Sequence, residues 1–250
     1  MQSRIKYCIA NWKMYIHSNE IKHFIDTFNN QIFNSNTEVV LCPNFIDLML
    51  ASSLISNNSN IKLGSQDVSC FSRGAYTGDV SLNMIESINC EYAIIGHSER
   101  RLYHDETNIK INKKLKILNN SSITPVICIG ETLEEKKLDK TFKIIESQLN
   151  EIFDGVDVLS NKNYLIAYEP RWAIGTGVAA DIKTIYSVYN YIKNIIETIN
   201  KKYRNLYLLY GGSVNEKNAS EILNVENIDG FLIGSSSIKP DQFYKIYNKF

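Results

Sequence analysis

The chain has 250 residues, 44% of them hydrophobic and 22% charged, with 27 basic and 27 acidic side chains that cancel. That composition excludes an intrinsically disordered chain, and zero net charge without a basic cluster argues against a nucleic-acid surface. No apolar run approaches the roughly 18 residues a membrane span needs, and the first residues lack a signal-peptide core, so a globular, cytoplasmic protein with no membrane partner is expected.

In chain order, an apolar run at 6–10 predicts a first strand. Ser18 then caps a helix whose apolar residues Ile21, Phe24, Ile25 and Phe28 share one face. Strands follow at 38–42, 61–65, 91–95 and 123–129. Thr132 and Glu135 read as a capping box opening a helix with the stripe Leu138, Phe142, Ile145, Leu149 and Ile152. After a strand at 164–168, Asp181 opens a third stripe through Ile182, Ile185, Val188, Tyr189, Ile192, Ile196 and Ile199. Runs at 206–210 and 229–233 predict the last two strands.

Several strands are apolar at consecutive positions, as strands covered on both faces are. Strand and helix alternate about eight times, the pattern of parallel strands joined by right-handed crossovers, and eight such units close into a (β/α)8 barrel. An open doubly wound sheet is the alternative, but Asn11-Trp12-Lys13 after the first strand is no glycine-rich dinucleotide turn. A single barrel domain over residues 1–250 is expected. Cys8, Cys42, Cys70, Cys90 and Cys128 have neither CxxC nor metal-ligand spacing, so reduced thiols and no bound metal are expected.

A barrel carries its chemistry just past the C-terminal ends of its strands. Polar residues gather there: Asn11 and Lys13 after the first strand, Gly96-His97-Ser98-Glu99-Arg100-Arg101 after the fourth, and Glu169-Pro170 after the sixth. The seventh runs into Gly211-Gly212-Ser213 and the eighth into Gly234-Ser235-Ser236. Singly, each has a plain reading: Lys13 a solvated lysine, His97 a structural histidine, Glu169 a cap or ion-pair partner, Arg100 and Arg101 structural pairs. Together they are complementary. The glycines allow close backbone approach to an anion, with Lys13 adding charge beside it. Glu169 can act as a general base, and His97 and Asn11 can donate to a developing oxyanion. The combination predicts proton abstraction beside a carbonyl on a phosphorylated substrate.

The blocks Asn11-Trp12-Lys13-Met14, Gly96-His97-Ser98-Glu99-Arg100-Arg101, Cys128-Ile129-Gly130-Glu131-Thr132, Tyr168-Glu169-Pro170, Trp172-Ala173-Ile174-Gly175-Thr176-Gly177 and Tyr210-Gly211-Gly212-Ser213-Val214 stand in the order found in triosephosphate isomerases. The chain resembles that family over nearly its whole length. The resemblance implies a TIM barrel that interconverts dihydroxyacetone phosphate and glyceraldehyde 3-phosphate through an enediolate, without cofactor or metal. It implies Glu169 as the proton shuttle, His97 as a neutral imidazole, Lys13 and Asn11 as stabilisers of substrate charge, and Glu99 as a support for them. Gly175, Ser213, Gly234 and Ser235 would cradle the phosphate together with Asn11 and Lys13. Residues 170–180 resemble the family's lid, with Pro170, Trp172, Ala173, Ile174, Gly175 and Thr176 at its stem and tip. The family's homodimer implies an interface at Met14, Tyr15, Tyr76, Thr77 and Gly78, with the loop at 66–80 reaching the neighbouring subunit and Thr77 buttressing Asn11 or Glu99.

Three departures from the family pattern stand out. Ser235 replaces the second glycine of a Gly-Gly pair, Val178-Ala179-Ala180 replaces Lys-Thr-Ala, and Tyr15 replaces a smaller polar residue. Two other functions fit parts of the pattern. A different phosphate-binding barrel isomerase would keep the glycine loops but has no need of Lys13, His97 and Glu169 together. A barrel kept only as a binding scaffold has no need of any of the three.

Overall fold

The computed structural model describes residues 4–31, 33, 36–55, 60–159, 161–174, 179–199 and 205–250. Eight strands are present among them: β1 (Lys6–Asn11), β2 (Thr37–Cys42), β3 (Ile61–Ser65), β4 (Tyr92–Ile95), β5 (Thr124–Ile129), β6 (Tyr164–Tyr168), β7 (Leu206–Tyr210) and β8 (Gly230–Ile233). All neighbours pair in parallel and β8 returns to β1, giving a closed barrel in sequence order. Each strand falls on its predicted run to within a residue or two.

The helices are α1 (Ser18–Asn29), α2 (Leu48–Leu54), α3 (Leu82–Glu86), α4 (Ser98–Tyr103), α5 (Asn108–Asn119), α6 (Leu133–Lys137), α7 (Thr141–Phe153), α8 (Ile182–Ile199), α9 (Ala219–Leu223) and α10 (Pro240–Tyr247). None is long and apolar enough to cross a membrane.

Alternation along each strand explains the consecutive apolar positions. One set, including Ile9, Val40, Ile94, Val126, Leu165 and Leu209, fills the barrel interior. The other set, including Ala10, Leu41, Leu63, Ile95, Ile127 and Ile166, packs outward under the helices. Tyr7 closes the floor, edge-on to Tyr92 and Tyr207 with ring centroids 6.3 and 4.9 Å apart. Among the described residues the barrel interior is therefore filled by side chains. Cys42 and Cys128 belong to this interior, where burial pushes both thiols well up and leaves them protonated.

Two helix readings need correction. Ser18 is the first residue of α1 rather than its cap; His17 takes that position, and its N–H donates to Glu20 (2.9 Å). The capping box and the stripe from Leu138 to Ile152 do not share one helix: the box opens α6, while the stripe beyond Leu138 lies on α7. The Thr132–Glu135 capping box forms, but α6 ends at Lys137, Asp139 turns left-handed (φ 52°), and α7 starts at Thr141. Leu138 and Phe142 are consequently exposed, while Ile145, Leu149 and Ile152 are buried as expected.

Candidate active site

Asn11 is the last residue of β1, and the chain turns sharply beyond it. Lys13 adopts φ 50°, a left-handed conformation that a non-glycine residue keeps only when its surroundings impose it. Here the Asn11 side chain accepts from the Lys13 N–H (3.1 Å), and Gln66 Nε2 donates to both Lys13 O and Cys42 O (2.9 Å each). The ammonium so positioned lies 2.7 Å from Glu99 Oε1. Its stem passes over Gly234, where a Cβ would come within 3.2 Å of Lys13 Cε.

His97 caps α4 directly after β4. Its Nδ1 accepts from the Glu99 N–H (3.2 Å), which places the imidazole proton on Nε2. That Nε2 lies 3.2 Å from Glu169 Oε1. Behind the loop, Lys114 bonds Asp67 (2.6 Å) and Glu106 (2.8 Å), and Arg100 bonds the same two carboxylates at 2.9 Å each. Burial raises Asp67; for Glu106 burial works against ionisation, but Lys114 and Arg100 outweigh it and hold the carboxyl low. Glu106 also accepts from Gly96 N–H (3.3 Å), so this buried network fixes the backbone that presents His97. Arg100 thus plays the structural ion-pair part. Arg101 donates instead to the carbonyls of Gly96 (2.8 Å) and Cys128 (3.1 Å).

Glu169 follows β6 and is 2% exposed. Its Oε2 accepts from the Ser98 N–H at the start of α4 (2.9 Å). The carboxylate reaches that position because Gly211 has no side chain: a Cβ there would come within 2.8 Å of Glu169 Cγ. The Cys128 thiol is fully buried, and burial and then the charge of Glu169 keep it neutral.

Beyond Glu169 the chain is tied to the turn after β5. Arg171 N–H donates to Glu131 O (3.0 Å), and Trp172 Nε1 donates to Glu131 Oε1 (2.8 Å). The Tyr168 hydroxyl lies 3.2 Å from both oxygens of this fully buried carboxyl, which burial raises above its ordinary range. Ala173 O accepts from Ser213 Oγ (2.6 Å), and Ala180 N–H donates to Tyr210 OH (2.8 Å). The Ser213 hydroxyl is therefore engaged with the backbone after Glu169. Gly175 and Thr176, with Gly177 and Val178, lie outside the described residues.

A cavity of about 230 Å³ gathers Asn11, Lys13, His97, Glu169, Ile174, Ser213, Gly234 and Ser235 on one wall set, from five strand ends. Ser235 does not have a positive φ, so its Cβ imposes no left-handed strain. Glu99 lies outside this cavity and faces an adjoining groove with Met14, Tyr15, Phe45 and Tyr103. Tyr15 borders both spaces. Pro170, Trp172 and Ala173 form the stem beside the cavity rather than its lining. Tyr76, Thr77 and Gly78 stand exposed on the loop between β3 and α3, away from this chain's own cavity. Among the described residues no group of three or more His, Cys, Asp or Glu side chains could hold a metal ion.

Gln66, Cys128, Glu131 and the Glu106 network were not apparent from sequence as parts of the site. Cys128 and Glu131 stand in a block that marks the family resemblance, yet nothing local says that they face Glu169 and Trp172.

A family model described as triosephosphate isomerase matches residues 6–250. Three similar proteins, each named triosephosphate isomerase, come from Alkaliphilus oremlandii, Dictyoglomus thermophilum and Buchnera aphidicola of Schizaphis graminum. The first is 40% identical over 244 residues, covering 96% of this chain and 97% of its own. The second is 41% identical over 246 residues (97% and 98%), and the third 42% identical over 248 residues (96% of each). With the family match spanning nearly all of the barrel and its rim, this chain belongs to the triosephosphate isomerase family.

Proposed function

We propose that this chain interconverts glyceraldehyde 3-phosphate and dihydroxyacetone phosphate by proton transfer through an enediolate, with no cofactor, and that residues 1–250 act as one barrel domain in the cytoplasm. The observation that carries the reading is the meeting of Glu169, His97 Nε2 and Lys13 in one cavity at the rim of the barrel.

Glu169 takes the proton from the substrate carbon beside the carbonyl and returns it to the neighbouring carbon. Before it can do so it must leave the Ser98 N–H, because a hydrogen bond to the ionised form opposes proton uptake. His97 donates from Nε2 to the oxygen that gains charge, which its Nδ1 bond to Glu99 N–H allows without protonating the ring. Lys13 supplies the positive charge for the enediolate and phosphate, exchanging its bond to Glu99 for the substrate. Asn11 holds Lys13 in its left-handed turn. Gly234, Ser235 and the backbone of Ser213 hold the phosphate, together with Gly175. An assay coupling glyceraldehyde 3-phosphate turnover to reduction of the product ketone tests this reading. Turnover with no cofactor beyond the hydride donor of the coupling enzyme is expected, and its absence at micromolar enzyme would overturn the reading.

The lid role of residues 170–180 rests on the family resemblance and on the ties between the stem and Glu131. An enediol phosphate released to water eliminates phosphate, so a covering segment must exclude water. Deletion of Ile174, Gly175 and Thr176 is expected to raise the share of elimination product measured beside the isomer; an unchanged ratio refutes the role.

The homodimer assignment is supported by an apolar rim around the groove beside Glu99. Met14 is 90% exposed and Tyr103 74%. On the loop after β3, Phe71 and Tyr76 stack with centroids 3.8 Å apart and stand out from the barrel, a preformed anchor for a neighbour's groove. Such a rim is unfavourable in water unless covered. Gel filtration with light scattering is expected to give twice the chain mass. An active monomer at low concentration would defeat the assignment.

A further inference from the structure

Lys136, at the end of the short helix α6, plays no part in the reaction described above. Its ammonium nevertheless sits 3.1 Å from the centroid of the Trp172 ring, while the edge of the same ring donates to Glu131. Face and edge of Trp172 are thus held by two residues of one turn-and-helix unit, and the Arg171 N–H bonds the backbone of that unit as well. These three contacts lie two and three residues beyond Glu169.

The Lys136 charge acts in two further places. It favours ionisation of the buried Glu131, opposing the effect of burial, and it supports the ionised Asp181, which the Thr184 hydroxyl and N–H stabilise more strongly.

We propose that Lys136 is a positioning residue for the reaction: by bracing the face of Trp172, whose edge is held by Glu131, it fixes the backbone after Glu169 and so the aim of that carboxylate. The inference rests on the reading of Glu169 as the base. The bracing acts on the base and not on the phosphate end of the cavity, so its loss falls on kcat and leaves KM nearly unchanged. A cation over an indole is worth enough that removing it should slow the reaction about fivefold.

The test uses the intact protein with Lys136→Met, which keeps the aliphatic stem, and Lys136→Arg, which keeps charge and stacking. Lys136 is half-exposed on a five-residue helix, so both variants are expected to fold, and thermal melts check that. Lys136→Met should lower kcat about fivefold with KM changed less than about twofold, and acrylamide quenching of Trp172 fluorescence should rise. Trp12 is almost fully buried and contributes little to quenching; Trp172→Phe measures its share. Lys136→Arg should restore both readouts. In a Trp172→Phe background, Lys136→Met should cost less than about 1.5-fold, since the two residues act as a pair.

A wild-type kcat and unchanged quenching in Lys136→Met would overturn the proposal, as would a loss that Arg does not restore or that persists in the Trp172→Phe background. If the unaltered protein shows no isomerase turnover, the base reading fails instead; quenching still reports whether Lys136 covers Trp172.

Discussion

Glu169→Ala is expected to lower kcat/KM for glyceraldehyde 3-phosphate by at least about two orders of magnitude, since a positioned general base contributes about 10²–10⁴ in rate. That loss corresponds to about 3–5 kcal/mol of transition-state stabilisation. The geometry leaves no substitute: among the described residues that line the cavity, Glu169 is the one carboxylate. Its removal also leaves the Ser98 N–H without an acceptor in a buried place, which lowers stability by about 1–3 kcal/mol. Glu169→Gln separates the two effects. The amide oxygen can still accept from Ser98, so melting should stay near wild type while turnover falls as far as in Glu169→Ala. Steady-state kinetics and thermal melts of both variants decide the matter. Near-normal turnover of folded Glu169→Gln refutes the role of base.

Lys13→Ala is expected to have an effect of similar size but a different kinetic form. The ammonium is paired with Glu99, and the Lys13 stem lies over Gly234, at the end of the cavity proposed to take the phosphate. On the proposed reading its charge stabilises the bound dianion and, more strongly, the enediolate. Both KM and kcat should therefore suffer, and kcat/KM should fall at least about a hundredfold. Removing Lys13 also leaves Glu99 without its cation, beside a substrate of the same sign. The backbone at residue 13 is held by Asn11 and Gln66 rather than by the lysine side chain, so the fold should persist. Kinetics at saturating and limiting substrate check the prediction; a change confined to KM would reduce Lys13 to a binding residue.

The barrel and most of the rim were legible in the sequence for a physical reason. A doubly covered parallel strand must be apolar at nearly every position, so each strand stands out and the polar residue that follows it marks the rim. Asn11 ends the first such run, Glu169 follows the sixth directly, and His97 follows the fourth after one glycine. What was not legible depends on contacts between distant elements. Gln66 holds the Lys13 turn from the end of β3, and Glu131 holds Trp172 from the end of β5. Neither differs locally from an ordinary loop residue. The break between α6 and α7 was hidden for another reason. Leu138 and Phe142 continue the helical spacing of Ile145 and Leu149, but Asp139 takes a left-handed turn that spacing does not encode. Ser213 shows the same limit at the site: its place at the rim after β7 was evident, its hydroxyl bond to Ala173 O was not.

The measurement that bears most directly on the account is isomerisation in deuterium oxide, followed by proton NMR of the product. A carboxylate that lifts a proton from carbon and shares it with solvent while an enediolate waits must leave deuterium on the carbon beside the new carbonyl in a large share of product. Glu169→Gln must abolish that labelling together with turnover. Rapid isomerisation by folded Glu169→Gln with the substrate hydrogen retained would contradict the account, because the hydrogen would then have crossed between the carbons without visiting Glu169.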